Sequence, residues 1–129
     1  MHKGYLKTAA LLGALSVAMG AFAAHTLKET VSDLALAIFE TSVRYQFYHV
    51  FALLIAGILY KEFPGKLLKW SGKLFIAGII LFCGSLDVLT FVKAAEIPGY
   101  NWVGAITPVG GLCFIAGWVC LFMGIFQKK

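Results

Sequence analysis

The chain has 129 residues, of which 60% are hydrophobic and only 13% charged, against roughly 25% charged in an average soluble domain. Its mean hydropathy is +0.87, and so few charges cannot form a polar skin around one core of this size. Composition therefore excludes a soluble globular domain, a disordered chain and a coiled coil, and predicts an all-α integral membrane protein: a single transmembrane domain over residues 1–129.

In chain order, four apolar runs predict four transmembrane helices, at about 8–25, 43–60, 71–92 and 107–126. Each run of 18 to 22 residues covers about 27–33 Å at 1.5 Å per residue, enough to cross the hydrocarbon core. The first run has two readings. Lys3 and Lys7 before it, and Ala21-Phe22-Ala23 near its end, fit a secretory signal with a cleavage site. The alternative, adopted here, is a retained span.

Residues 26–42 have mixed character. Thr26-x-x-Glu29 and Thr30-x-x-Asp33 have capping-box spacing. Val31, Leu34, Ala35 and Ile38 then recur at helical spacing, with Lys28, Asp33 and Glu40 elsewhere on the wheel. The pattern predicts a short amphipathic surface helix, about 30–42, between spans one and two; a solvated connector is the alternative. Pro64-Gly65 and Pro98-Gly99 break the next two connections, and Thr107-Pro108 reads as an N-cap with Pro at the first helical position.

A net charge of +5 would suggest nucleic acid in a soluble chain. In a membrane protein the position of the cations matters instead, and no nucleic-acid partner is expected. The N-terminus, the second connection and the C-terminus share one side of a four-span chain. They carry Lys3, Lys7, Lys61, Lys66, Lys69, Lys73, Lys128 and Lys129, eight of the 11 basic residues; the other side has Lys28, Arg44 and Lys93. The positive-inside rule then predicts both termini on the cytoplasmic side. Tyr60 and Trp70 on one side, and Tyr100 and Trp102 on the other, are expected in the two interfacial aromatic belts.

Two stripes of small residues predict where helices pack. Gly110, Cys113, Gly117, Cys120 and Gly124 recur at 3-4 spacing in the fourth span, and Ala9, Gly13, Ser16, Gly20 and Ala23 do so in the first. Such seams let backbones approach closely where lipid supplies no hydrophobic drive. Cys83, Cys113 and Cys120 lie in apolar runs without CxxC spacing, so they read as packing residues rather than redox or zinc ligands.

Polar residues inside spans are costly and mark functional candidates. Here they are His25, Arg44, Gln46, His49, Asp87 and Thr107, all expected in the outer half. Each has a bland alternative: His25 at a helix terminus, Arg44 snorkelling or paired with Glu40, His49 as interhelical glue. Asp87 is expected to meet Arg44, or else His25 or His49, with outer-surface water as the alternative. No short-spaced ligand pair supports a metal, and no cofactor is expected.

At these residues the sequence resembles a known family. Gly20-Ala-Phe-Ala-Ala-His25, Tyr45-Gln-Phe-Tyr-His49, Gly84-Ser-Leu86, Ile106-Thr-Pro-Val-Gly-Gly111 and Ala116-Gly-Trp118 look like the YgdD-like family of small inner-membrane proteins of unknown function. That family includes a eukaryotic transmembrane relative. The resemblance covers nearly the whole chain and implies a multi-span helical protein with its first span retained, but no reaction. His25, Gln46, His49 and the Thr107-Pro108 turn match the family pattern; Asp87 stands where an aromatic or apolar residue is usual.

Three classes of function follow, in order of expectation. The first is an accessory, assembly or stabilising subunit of a larger membrane complex, with protein partners in the lipid. The second is a small transporter or channel for protons or a small solute, acting as an oligomer. An enzyme comes last, because no Ser/His/Asp order, phosphate loop or carboxylate pair is present.

Overall fold

The computed structural model describes residues 1–127, so Lys128 and Lys129 of the charge tally lie outside the described residues. Four helices alternate in direction: α1 Lys3–Thr30, α2 Asp33–Leu59, α3 Lys66–Ala94 and α4 Asn101–Phe126. All four are long and apolar enough to cross a membrane, and no strand occurs among the described residues. Their 26 to 29 residues span about 39–44 Å, so their ends pass beyond a hydrocarbon core about 30 Å thick. One end of the bundle holds the N-terminus and residues 60–65; the other holds residues 31–32 and 95–100. We refer to them as the first and second ends.

The helix boundaries have local causes. At the first end the His2 ring accepts the Tyr5 N–H at 3.2 Å and so caps α1. Gly65, at φ 150°, starts α3 in a conformation that favours glycine. At the second end Ser32 caps α2 by accepting the Ala35 N–H at 3.2 Å. Neither predicted capping box does this work; the Thr30 hydroxyl instead donates back to the Leu27 carbonyl.

The surface helix expected at 30–42 is not a separate element. Residues 33–42 are the first turns of α2, which runs unbroken from Asp33 to Leu59. No glycine or proline occurs between Asp33 and Ala56 to interrupt it. Its buried face is not the predicted stripe: Leu34 is 64% exposed, and Ala35 is joined in the bundle by Phe39, Ser42 and Val43. What reads as an amphipathic surface segment is the half-exposed end of a long span. α4 likewise starts early, with a tight 3₁₀ turn over Asn101–Ala105, so Thr107 is inside the helix and does not cap it.

Two antiparallel registers organise the packing. Between α1 and α2, Leu6 lies against Gly57, while Gly13 faces Val50 and Gly20 faces Val43: seven residues up one helix match seven down the other. Between α3 and α4, Gly110, Gly117 and Gly124 receive Phe82, Phe75 and Leu68, again at intervals of seven. The fit is reciprocal, because Phe114 of α4 lies over Gly78 of α3. Each large residue fills the gap left by a missing Cβ, which is how helices gain dispersion contact in lipid. The buried stripe of α4 is therefore Gly110, Phe114, Gly117 and Leu121. Cys113 and Cys120, expected in the seam, are half-buried beside it, because the seam alternates small with large instead of running small throughout.

α1 is fastened at the first end as well. The Tyr5 hydroxyl donates to the Lys69 carbonyl, its ring lies over Gly72, and the His2 ring stacks on it at 3.7 Å. The His2 N–H donates to the Gly57 carbonyl at 2.9 Å. α1 thus meets α2 along its length and α3 through Tyr5.

Candidate functional site

The intramembrane polar residues do not converge on one centre. Gln46, His49, Asp87 and Thr107 form separate hydrogen-bonded contacts, each joining two helices. Between α1 and α2 the Gln46 amide donates to Ser16 Oγ at 2.8 Å, and Ser16 passes its own hydrogen to the Leu12 carbonyl at 2.7 Å. Both side chains are buried, so the pair satisfies groups that lipid could not.

His49 is held between α2 and α4. Its ring stacks on Phe114 with centroids 3.5 Å apart. The Trp118 indole N–H, which can only donate, points at His49 Nε2 from 3.1 Å. Nε2 must therefore be the bare nitrogen, and Nδ1 carries the hydrogen that it gives to the Tyr45 carbonyl at 2.7 Å. Both ring nitrogens are occupied, which fits the neutral tautomer.

Between α3 and α4, Ser85 donates to the Phe82 carbonyl at 2.9 Å, so Thr107 is the donor in the 2.6 Å contact between the two hydroxyls. Nearer the first end, Ser71 donates to the Gly117 carbonyl at 2.9 Å, possible only because Gly117 brings the two backbones together.

Asp87 corrects the sequence reading most clearly. Its partner is neither Arg44 nor a histidine but Ser42, whose hydroxyl lies 2.6 Å from Asp87 Oδ1 and 3.1 Å from the Cys83 carbonyl. α3 widens into a π turn at Ile79–Cys83, just before this contact; such turns recur where a helix is adjusted for a side-chain site. Arg44 is exposed on another face of α2 and donates to Thr41 at 3.3 Å, while His25 is exposed near the end of α1. Helix phase explains the separation. Arg44 is two residues from Ser42, about 200° round the wheel, so both cannot face α3. Among the described residues no three His, Cys, Asp or Glu side chains cluster in a way that would hold a metal.

The sequence profile of the family described as "Protein of unknown function (DUF423)" matches residues 19–111. A UPF0382 membrane protein of Staphylococcus aureus is 39% identical over 126 residues, covering 95% of this chain and 98% of the relative. Its counterpart in Staphylococcus haemolyticus is 38% identical over the same length and coverage. One from Haemophilus influenzae is 36% identical over 129 residues, covering 100% of this chain and 98% of its own. The chain belongs to the DUF423 family. No solved structure matches it.

The stretch matched to DUF423 contains Gln46, His49, Asp87 and Thr107 but ends before Trp118. Four partners were missed in the sequence of this DUF423 protein: Ser42, Ser71, Ser85 and the indole of Trp118. A lone serine in an apolar run carries no pattern, since it can satisfy itself on its own helix. Only the register between helices assigns it a partner.

Proposed function

We propose that this DUF423 membrane protein is a non-enzymatic accessory, assembly or stabilising subunit of a larger membrane complex. The supporting observation is the use of its polar side chains. Among the described residues, every buried side-chain nitrogen and oxygen has a hydrogen-bond partner, and Gln46, His49 and Thr107 each join two helices. That economy suits a rigid packing unit. Such a unit presents α4 through Leu112, Ile115, Val119 and Phe122, which are exposed along one flank. We further propose the bacterial inner membrane with both termini cytoplasmic, since the basic residues crowd the first end and the relatives are bacterial. The wider YgdD-like grouping, with its eukaryotic member, belongs to the same proposal.

A second reading, a small transporter or channel for protons or a small solute, has one observation in its favour: Asp87 sits beside a groove that opens toward lipid. Native mass spectrometry after gentle extraction separates the two. A co-purifying membrane protein in fixed ratio is expected; a defined homo-oligomer without other proteins would favour transport.

A further inference from the structure

Asp87 lines a groove of about 300 Å³ between α1, α2 and α3, together with Ala18, Met19, Phe22, Phe39 and Phe91. Each phenylalanine is one turn nearer the second end than a deeper residue of its own helix: Phe22 beyond Ala18, Phe39 beyond Ser42, Phe91 beyond Asp87. The rings meet edge-on, Phe39 to Phe22 at 6.2 Å and Phe39 to Phe91 at 6.1 Å between centroids. They form an aromatic cover between the Ser42–Asp87 pair and the second end. Phe22 and Phe91 are 40% and 48% exposed, so the groove communicates sideways with lipid.

The chemistry of this groove is specific. One Asp87 oxygen is held by Ser42, which is its one hydrogen-bond partner among the described residues. The other oxygen has none. An ionised carboxylate at membrane depth is stabilised by a counter-charge; neither Arg44 nor a histidine supplies one to Asp87. Phenyl faces attract organic cations, most strongly where water is excluded. The volume is at the lower end of ligand sites, about 300–1,000 Å³, so part of a larger guest would project into lipid.

We propose that this groove binds an amphiphilic organic cation, an ammonium or phosphonium with apolar substituents. It enters laterally from the lipid, with Asp87 as counter-charge and Phe22, Phe39 and Phe91 around its apolar body. The site does not depend on the accessory role proposed above. A lipid headgroup amine suits it less well, because the aromatic cover lies between the headgroup layer and Asp87.

The test uses the full chain in phosphatidylglycerol nanodiscs, which contain no lipid amine, and tetraphenylphosphonium as the probe. Saturable binding is expected, with one site per chain. Asp87→Asn keeps the size and the Ser42 contact but removes the charge, and is expected to weaken binding at least about tenfold, the equivalent of about 1.4 kcal/mol. Phe91→Leu, at a half-exposed position, is expected to weaken it about two- to fivefold through the lost ring. Triphenylphosphine oxide, similar in body but uncharged, should not compete. Equal binding by wild type and a folded Asp87→Asn variant, or no saturable binding by wild type, overturns the proposal. Should Asp87→Asn fail to fold, unchanged binding by Phe91→Leu together with competition by the oxide overturns it. Loss of probe binding in phosphatidylethanolamine nanodiscs would assign the groove to a lipid headgroup and overturn it as well.

Discussion

Ser42 and Asp87 show how much one hydrogen bond matters when there is no water to replace it. Removing the hydroxyl leaves a carboxyl group without a donor in an apolar groove, and removing the carboxyl still leaves Ser42 the Cys83 carbonyl, 3.1 Å away. Ser42→Ala should therefore destabilise more than Asp87→Ala. The double variant should fall short of the sum of the two by about 0.5–3 kcal/mol, as for contacting residues in a shared network. Reversible unfolding in detergent measures it; additive losses would mean contact without coupling. Trp118 makes a parallel case. Trp118→Phe keeps an aromatic ring against Phe75 but strips His49 Nε2 of its donor, an expected loss of about 1–3 kcal/mol for a buried acceptor left unpaired. A melting temperature equal to wild type would show that His49 finds another partner.

At the level of helix pairs, the glycines divide by what a methyl group would meet. A Cβ at Gly110 would run into the backbone nitrogen of Phe82, which cannot move without shifting α3. At Gly117 it would approach the Phe75 ring at 2.7 Å, and a ring can turn. At Gly84 it meets nothing within 4 Å. Alanine substitutions should therefore rank Gly110 as most damaging, Gly117 next and Gly84 as neutral or slightly stabilising, because alanine is the better helix former. Gly117→Leu should cost at least the 1–3 kcal/mol typical of overpacking and separate α3 from α4. Thermal unfolding of the set checks the order, and a damaging Gly84→Ala would contradict the register.

The described residues form a chain of antiparallel hairpins, so the N-terminus, residues 60–65 and the end of α4 at Phe126 share one end whatever the membrane does. Single cysteines placed near Lys66 and near Tyr100, in a background with Cys83, Cys113 and Cys120 replaced, should label from opposite sides of sealed vesicles. The Lys66 site is expected on the cytoplasmic side, in keeping with the basic residues there. Labelling of both sites from one side would contradict four crossings. Trp70 and Trp102, 54% and 61% exposed near opposite ends, should both be quenched by headgroup-region quenchers rather than by mid-chain ones.

The sequence by itself determined the membrane class, the four long apolar helices and the seven-residue spacing of Gly110, Gly117 and Gly124 in α4. These depend on composition and on periodicity along one helix, both of which are local properties. It also marked Gln46, His49, Asp87 and Thr107, because polar atoms stand out in apolar runs. It did not reveal that 33–42 continues into α2, since an amphipathic stripe looks alike whether it faces lipid headgroups or neighbouring helices. Nor did it pair Asp87 correctly. Charge made Arg44 the natural partner, but partnership between helices is decided by rotation and register. Only the packed structure aligns Ser42 with Asp87, turns Arg44 away and draws three phenylalanines over the carboxyl. Those relations depend on glycine gaps in one helix matching side chains of another, a property of helix pairs that no single run of residues contains.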